Sequence, residues 1–538
     1  IGTDLADAGK SVTAAVDPET LKVVDGRLPL EEVIRLTPKL HQGANALSSA
    51  LARLDDVRDD PYLAPPVRDA VRKVHTQLAQ ATREAQHAAA AADLAPAIFG
   101  GKGPRTYLLV VQNNAESRAT GGFIGSYALI TALNGKLHVG DIIRTGEWNN
   151  AVREQPDLTL RAPEDYRRRY TQFAPATTLQ NINLSPDFPS VAQALMSLAP
   201  QAGLTKVDGV LAVDPVGLSA LLQLTGPVQV EGWPTEINAD NVVNVTLRDA
   251  YAAFAETPER ADFLGDVAKA AVDEATSGDL GAPAEIAKVL GAAAHEGHLI
   301  LAFARPEEQA LAVELGVSGR MEPVHSDAIA LTSSNASANK VDYYLQRSMR
   351  YTVQLTPNDD ATSARVKAAL DVTLDNQAPA SGLPQIVIGP FDPRFVPGEN
   401  RAFVSIYSPL QIQSAQMNGK NTPVSPGVER GRNVFSVFDE MLAQSSSTID
   451  AQLGGKVALH NGWYEVSVHH QATLSPDRVH VSVDVPTGWR IDHAPGMELP
   501  FAQRATTTVE LERTKTFRVH LVRDPGTWDL WDRLEAGV

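Results

Sequence analysis

Thr106-Tyr-Leu-Leu-Val-Val111 runs directly into Gln112-Asn-Asn-Ala-Glu-Ser-Arg-Ala-Thr-Gly-Gly-Phe123, and the reading of this junction decides the fold. A short, continuous apolar run is expected of a strand buried on both faces. The polar stretch after it is then expected to be a loop at the strand's carboxyl end, where open α/β sheets place their ligands. Asn113, Asn114, Glu116, Arg118 and Thr120 crowd the loop, and Gly121-Gly122 permits close backbone approach. Arginine offers a planar fork for phosphate, and a carboxylate beside amide carbonyls suits a hard cation. A hairpin with an internal Glu–Arg pair is the competing expectation.

Downstream, strands and helices alternate. Asn134-Gly135 between Gly125–Leu133 and Lys136–Ile143 signals a two-residue hairpin. Helical spacing over 190–198 and 216–224 flanks a buried strand over 207–213. Amphipathic helices follow over 241–254 and 260–276, then a strand over 298–304 and a helix over 307–315. Upstream, apolar residues recur at helical spacing over 28–57 and 67–94 around a Pro-rich break, which predicts an antiparallel helical hairpin. Beyond about residue 335 the helical period gives way to short strands separated by Pro, Gly, Asn and Asp. The expected architecture is an α+β multidomain chain. A helical stalk spans 1–100, an α/β/α layered domain with a mixed sheet 101–325, a β-sandwich 326–459 and a second β-rich module 460–538.

Composition narrows the function. Among 538 residues there is no cysteine, which excludes disulfide frameworks, thiol catalysis and thiolate-bound metals. Lys and Arg number 47 against 64 Asp and Glu, a formal net charge of −17, so a general nucleic-acid binder is not expected. Carboxylates and arginines are left as the active groups. Beyond the Gln112–Phe123 segment, Arg144 closes a strand, and Asp187 sits between Pro186 and Pro189 just before a helix. Asp187 is as readable as an N-cap, a role that stabilises a helix by about 1 kcal/mol. Arg248 and Arg260 flank Tyr251.

On these residues the chain resembles a bacterial, chiefly actinobacterial, surface-protein family, domain of unknown function 4012. The resemblance rests on Gln112-Asn-Asn-Ala-Glu-x-Arg-x-Thr-Gly-Gly-Phe123, Ser185-Pro-Asp-Phe-Pro189, Val207-Asp-Gly-Val-Leu-Ala-Val-Asp-Pro215, Thr225-Gly-Pro227 and Asn339-Lys-Val-Asp-Tyr-Tyr344. More distantly, the order of elements is similar to the LytR-CpsA-Psr phosphotransferases, which move glycan phosphate from a polyprenyl-pyrophosphate carrier to the cell wall. Glu116 would stand for that family's metal-binding acid and Arg118 for its pyrophosphate arginine. Phe123-Ile-Gly-Ser126 departs from its Arg-Ser-Asp.

The distant resemblance implies a cell-envelope enzyme acting on lipid-linked glycans. Glu116, Asp187 and Arg118 would be catalytic, with Glu116 and Asp187 holding Mg²⁺. Asn113, Asn114, Arg118, Arg144, Arg248 and Arg260 would bind pyrophosphate, and Val242, Val245, Phe254 and Phe263 would line a slot for the lipid tail. The implied partners are a lipid-linked glycan donor and a peptidoglycan or other cell-wall polysaccharide acceptor, with no nucleic acid. The implied location is outside the cytoplasm, through a membrane anchor preceding Ile1. Two alternatives from other classes remain: a non-catalytic envelope scaffold that binds glycan, and a hydrolase using Glu116 and Asp187 as its carboxylate pair.

Overall fold

Helices Leu30–Arg58 and Pro65–Ile98 pair along a seam of Ala50, Leu54 and Leu78, the antiparallel hairpin the periodicity predicts. Early residues of one helix meet late residues of the other, as in His41–Asp93 at 2.9 Å and Asp55–His75 at 2.7 Å. Burial of Leu54 and Leu78 stabilises the pair by roughly 1.5–3 kcal/mol each. The computed structural model describes residues 21–58, 64–254, 257–278, 280–423 and 427–524; residues 61–63 of the expected Pro-rich break and the end of the last β segment lie outside them.

The stalk leads into β1 (Arg105–Arg118), whose first residue grips Glu308 through two hydrogen bonds of 2.7 Å. Around β1 are β2 (Gly121–Leu133), β3 (Lys136–Val139), β4 (Ile143–Arg144), β5 (Gly209–Val213) and β6 (Leu299–Phe303), in the order β3-β2-β1-β5-β6 with β4 on β2. β1 and β5 are parallel and the other pairs antiparallel, so the sheet is mixed. Alternate residues of β1 enter different cores. Leu108 and Val110 meet helix Phe188–Leu198, whereas Tyr107 and Leu109 meet helices Pro215–Thr225 and Thr257–Ser277. Three layers result because a strand apolar on both faces needs cover on both. Asn134 and Gly135 both hold positive φ (49° and 81°), the primed turn their sequence predicts.

Gln112–Phe123 is not an open loop. β1 continues through Arg118 with register shifts at Val111/Gln112 and Asn113/Ser117, and β2 begins at Gly121. The polar residues stay in the strand because partners far along the chain satisfy them. Ser117 N donates to Asp342 Oδ2 (2.8 Å), Arg118 Nη1 to the Asn335 carbonyl (3.1 Å), and Gln471 Nε2 to the Arg118 carbonyl (2.8 Å). Gly122 is required at this bulge, since a Cβ there would lie 2.0 Å from the Asn113 carbonyl carbon.

From β7 (Asp327–Asn335) onward the chain is a two-sheet sandwich. One sheet runs β13 (Gly427–Glu429), β14 (Arg432–Met441), β10 (Asn400–Ser408), β7, β16 (Trp463–His469), β21 (Lys515–Arg523) and β18 (Trp489–His493). The other runs β12 (Lys420–Thr422), β11 (Gln411–Met417), β15 (Ser445–Ala458), β9 (Ser363–Asn376), β8 (Leu345–Pro357), β17 (Asp477–Asp484), β20 (Arg504–Leu511) and β19 (Glu498–Phe501). Burial alternates along β8 (Leu345–Pro357) and β9 (Ser363–Asn376), the period-two pattern of strands with one wet face. The division expected at 459/460 runs through the middle of both sheets. β16 (Trp463–His469) pairs in parallel with β7, and β17 (Asp477–Asp484) with β8, and all contribute to a single core. Parallel pairing across more than a hundred residues leaves no local signal. The chain is therefore α+β and multidomain, with a helical pair, an α/β domain and one strand-rich domain. No helix among the described residues is long and apolar enough to cross a membrane.

Candidate functional site

A cavity of about 210 Å³ opens between β1, β2 and the helices after β5. Much of its wall is apolar, formed by Val111, Phe123, Leu218, Leu247, Leu264 and Ile386. Three cations reach it. Arg144 comes from β4 and pairs with Asp262; Arg260 comes from helix Thr257–Ser277; Lys340 comes from the segment that enters the sandwich. Arg260 is 4% exposed, donates from Nη1 to the Phe254 carbonyl at 3.2 Å, and lies 5.1 Å over the Tyr251 ring. Lys340 stands 4.5 Å from the centre of the Phe123 ring, with its Nζ bonded to Glu116 Oε2. Gln112 Nε2, also in the wall, is buried and makes no hydrogen bond among the described residues.

The helix expected over 241–254 is irregular. Val242–Asn244 passes into a π turn over Val245–Asp249 and ends in Ala250–Ala253. Such widened turns recur at binding sites because they re-aim side chains. Here the turn carries Thr246 and Leu247, and Tyr251 follows, all three onto the cavity. Tyr251 Oη accepts from Asn113 Nδ2 at 2.8 Å. Burial raises the Tyr251 phenol above its ordinary pKa, against the opposing pull of Lys340 and the Asn113 bond, so it remains protonated.

Of the residues singled out in the sequence, Asn113, Arg144 and Arg260 meet at this cavity. The rest are placed elsewhere. Arg118 is spent on structure, donating to the carbonyls of Gln180 (2.8 Å), Ser117 (2.9 Å) and Asn335 (3.1 Å). Glu116 lies behind Lys340, held between it and Arg118 Nη2 at 3.4 Å. Asn114 donates to Asp214 Oδ2 (2.7 Å) and to the Ala472 carbonyl (3.2 Å). Arg248 pairs with Asp249 at 2.7 Å in a neighbouring hollow that Tyr343 and Tyr344 share.

Asp187 does occupy the N-cap position of helix Phe188–Leu198, but its carboxylate makes no bond to the helix N–H groups. It accepts from Met321 N (3.1 Å) and the Ser190 hydroxyl and lies 3.4 Å from Arg430 Nε. It thereby ties the α/β domain to the sandwich. The partner sets of Asp187 and Glu116 share no residue, and no group of three His, Cys, Asp or Glu side chains among the described residues is arranged to hold a metal. Glu116 is engaged by Lys340 and Arg118, and Asp187 by Arg430, so the carboxylates expected to hold Mg²⁺ are each committed to cations of the chain.

The four residues expected to line a lipid slot are also placed otherwise. Val242, Val245 and Phe263 are buried in the core, and Phe254 packs on it. Phe254 lies 4.9 Å from Phe263, which stacks on Trp233 at 5.1 Å. The helix faces were apolar because they pack against β1 and β2. His298, just before β6, bonds Asp214 at 2.6 Å. Burial disfavours its charge, but the Asp214 carboxylate outweighs that and raises its pKa. Lys340 is the site residue that local reading missed. Its one signal was the Asn339–Tyr344 motif, which has no catalytic pattern of its own.

No curated protein matches the chain. Solved structures give partial likenesses. A protein described as nutrient-binding from Legionella pneumophila is 7% identical over 36% of this chain and 71% of its own, with TM-score 0.26. An M1 zinc metallopeptidase from Deinococcus radiodurans is 14% identical over 33% and 42%, with TM-score 0.20. The transcriptional regulator yvhJ from Bacillus subtilis is 12% identical over 44% and 84%, with TM-score 0.20. Scores of this size say nothing about what the chain does. Residues 102–251, which contain β1, β2, β5 and the π turn, match the model of the family described as Protein of unknown function (DUF4012).

Proposed function

We propose that the cavity binds the phosphate end of a lipid-linked glycan, and that the protein is a LytR-CpsA-Psr-like phosphotransferase of the cell envelope. The observation that carries this reading is an apolar cavity with three cations, Arg144, Arg260 and Lys340, in its wall. An isoprenoid pyrophosphate has the matching chemistry, an apolar chain ending in concentrated negative charge. Buried cations in a low-dielectric wall bind such charge more tightly than exposed ones.

Phosphoryl transfer needs alignment and charge neutralisation more than covalent help from the protein. Arg260 and Lys340 would hold the pyrophosphate oxygens, and Arg144 would close the outer side. Gln112 Nε2 would supply a neutral donor. A cell-wall hydroxyl would then form the new O–P bond as the bridging P–O bond breaks. Lipid phosphate leaves, and the hydroxyl proton ends on it. Glu116 acts here by holding Lys340. Glu116 and Asp187 do not fit a Mg²⁺ site, so no step is routed through a metal.

One observation favours a second reading, a non-catalytic binder of the same lipid. Glu116, Arg118 and Asp187, the groups expected to do chemistry, are all engaged in structural contacts. Incubating the chain with farnesyl-pyrophosphate-linked N-acetylglucosamine and a cell-wall acceptor separates the two. Release of farnesyl phosphate supports the transferase. Saturable binding without release supports the binder.

A further inference from the structure

We propose that the outer face of the eight-stranded sheet binds an extended anionic polysaccharide, in a groove of about 670 Å³ built across β9, β11 (Gln411–Met417) and β15 (Ser445–Ala458). This site is separate from the lipid-phosphate cavity and stands without it.

The charge pattern on these strands is unusual. Arg365 on β9 lies directly opposite Lys456 on β15, and Lys367 is exposed on the same face two residues along. Like charges directly opposite in an antiparallel pair destabilise a sheet. Nothing on the face relieves them, since none of the three cations makes an ion pair among the described residues. Of the acids on the same strands, Asp371 and Asp450 sit opposite each other further along, and Asp375 lies beyond them. A patch that keeps three cations together within a chain of net charge −17 gains stability when an anion lies between them.

The floor of the groove is shaped for a ligand that lies flat. Gly454 is opposite Lys367 on one side and Gln411 on the other. The register of β11 slips between Ile412 and Ser414, which brings Gln413 across Gly454; a Cβ on Gly454 would come within 2.4 Å of Gln413 Nε2. The amides of Gln411, Gln413 and Asn358 thus line the groove beside the cations. Amides both donate and accept, which matches a chain of hydroxyls. No aromatic side chain lines the groove, so stacking, the main source of single-stranded nucleic-acid binding, is missing. Cations for carboxylate or phosphate groups and amides for hydroxyls together specify an acidic glycan.

The test is a set of binding isotherms for the full chain on immobilised polygalacturonate, poly(glycerol phosphate), dextran and single-stranded DNA. The two acidic polymers distinguish carboxylate from phosphodiester as the anion. Binding to at least one of them, absent on dextran, is expected. It should weaken about tenfold in Lys367→Gln/Lys456→Gln and fall with added salt, as exposed charges require. Farnesyl pyrophosphate binding at the cavity should be unchanged in that variant, so the two sites fail or succeed independently. Both substitutions are at exposed positions, and an unchanged melting temperature verifies the fold. No binding to either acidic polymer overturns the proposal, as do equal binding by the variant, equal binding to dextran, or tighter binding to DNA.

Discussion

Lys340 Nζ, on the segment that enters the sandwich, is hydrogen-bonded to Glu116 Oε2 on β1, 224 residues earlier in the chain. Both side chains are buried, and Arg118 closes the far side of the carboxylate. The ion pair joins two domains and at the same time delivers a cation to the cavity. Buried pairs of this kind are costly to break one partner at a time. Glu116→Gln strands the Lys340 charge and is expected to cost about 3–5 kcal/mol in urea unfolding. The double variant Glu116→Gln/Lys340→Met should recover part of that loss, because the stranded charge is gone.

Asp187 serves the same domain junction from another side. Asp187→Asn weakens its contacts with Arg430 and Met321 N–H and should lower stability by about 1–3 kcal/mol. Lipid-phosphate binding should be unaffected, with or without added Mg²⁺. Reduced binding in this variant at full folding would return Asp187 to the site.

Asp327 gives the sandwich a pH dependence. Burial lifts its pKa to about 6, although the hydroxyls of Tyr464 (2.6 Å) and Tyr351 (2.9 Å) and the Ala328 N–H favour the charge. The folded pKa is above the unfolded value, so the fold prefers the protonated acid. Its contribution to stability is complete below about pH 4 and is lost as pH rises through about 6. Asp327→Asn, compared with the parent by chemical unfolding, should become relatively more stable from pH 4 to pH 7. A constant difference across that range would contradict this.

Gly122 tests the bulge that sets the site. Gly122→Ala forces a Cβ to within 2.0 Å of the Asn113 carbonyl carbon, so strand β2 must shift away from β1. Loss of several degrees in melting temperature is expected, along with weakened ligand binding, because Asn113 and Phe123 both line the cavity.

How far the sequence is legible follows from where each residue finds its partners. The run 106–111 and the Asn134-Gly135 turn depend on neighbours in the chain, and both are found as read. The stretch Gln112–Arg118 reads as a loop because it is polar, yet it is strand. Asn335, Asp342 and Gln471 satisfy it from afar. The same distance hides Lys340, and it hides the parallel β7–β16 and β8–β17 pairs that make one sandwich of two expected modules. Arg144 and Arg260 are recovered at the site, whereas Arg118 and Arg248 carry the same local signal and point elsewhere. Residue type shows which side chains can bind phosphate; only the fold shows which of them share a cavity.

With Arg260 and Lys340 holding lipid-linked phosphate, calorimetric titration of the full chain with farnesyl pyrophosphate should show saturable binding. A charge-assisted hydrogen bond is worth about 1.5–3 kcal/mol, so Arg260→Gln is expected to weaken binding by about 10- to 100-fold. Arg248→Gln, in the neighbouring hollow, should change it by less than about twofold, as expected of an exposed charge. No binding by the parent chain, or equal binding by Arg260→Gln and Arg248→Gln, would remove the phosphate from this cavity.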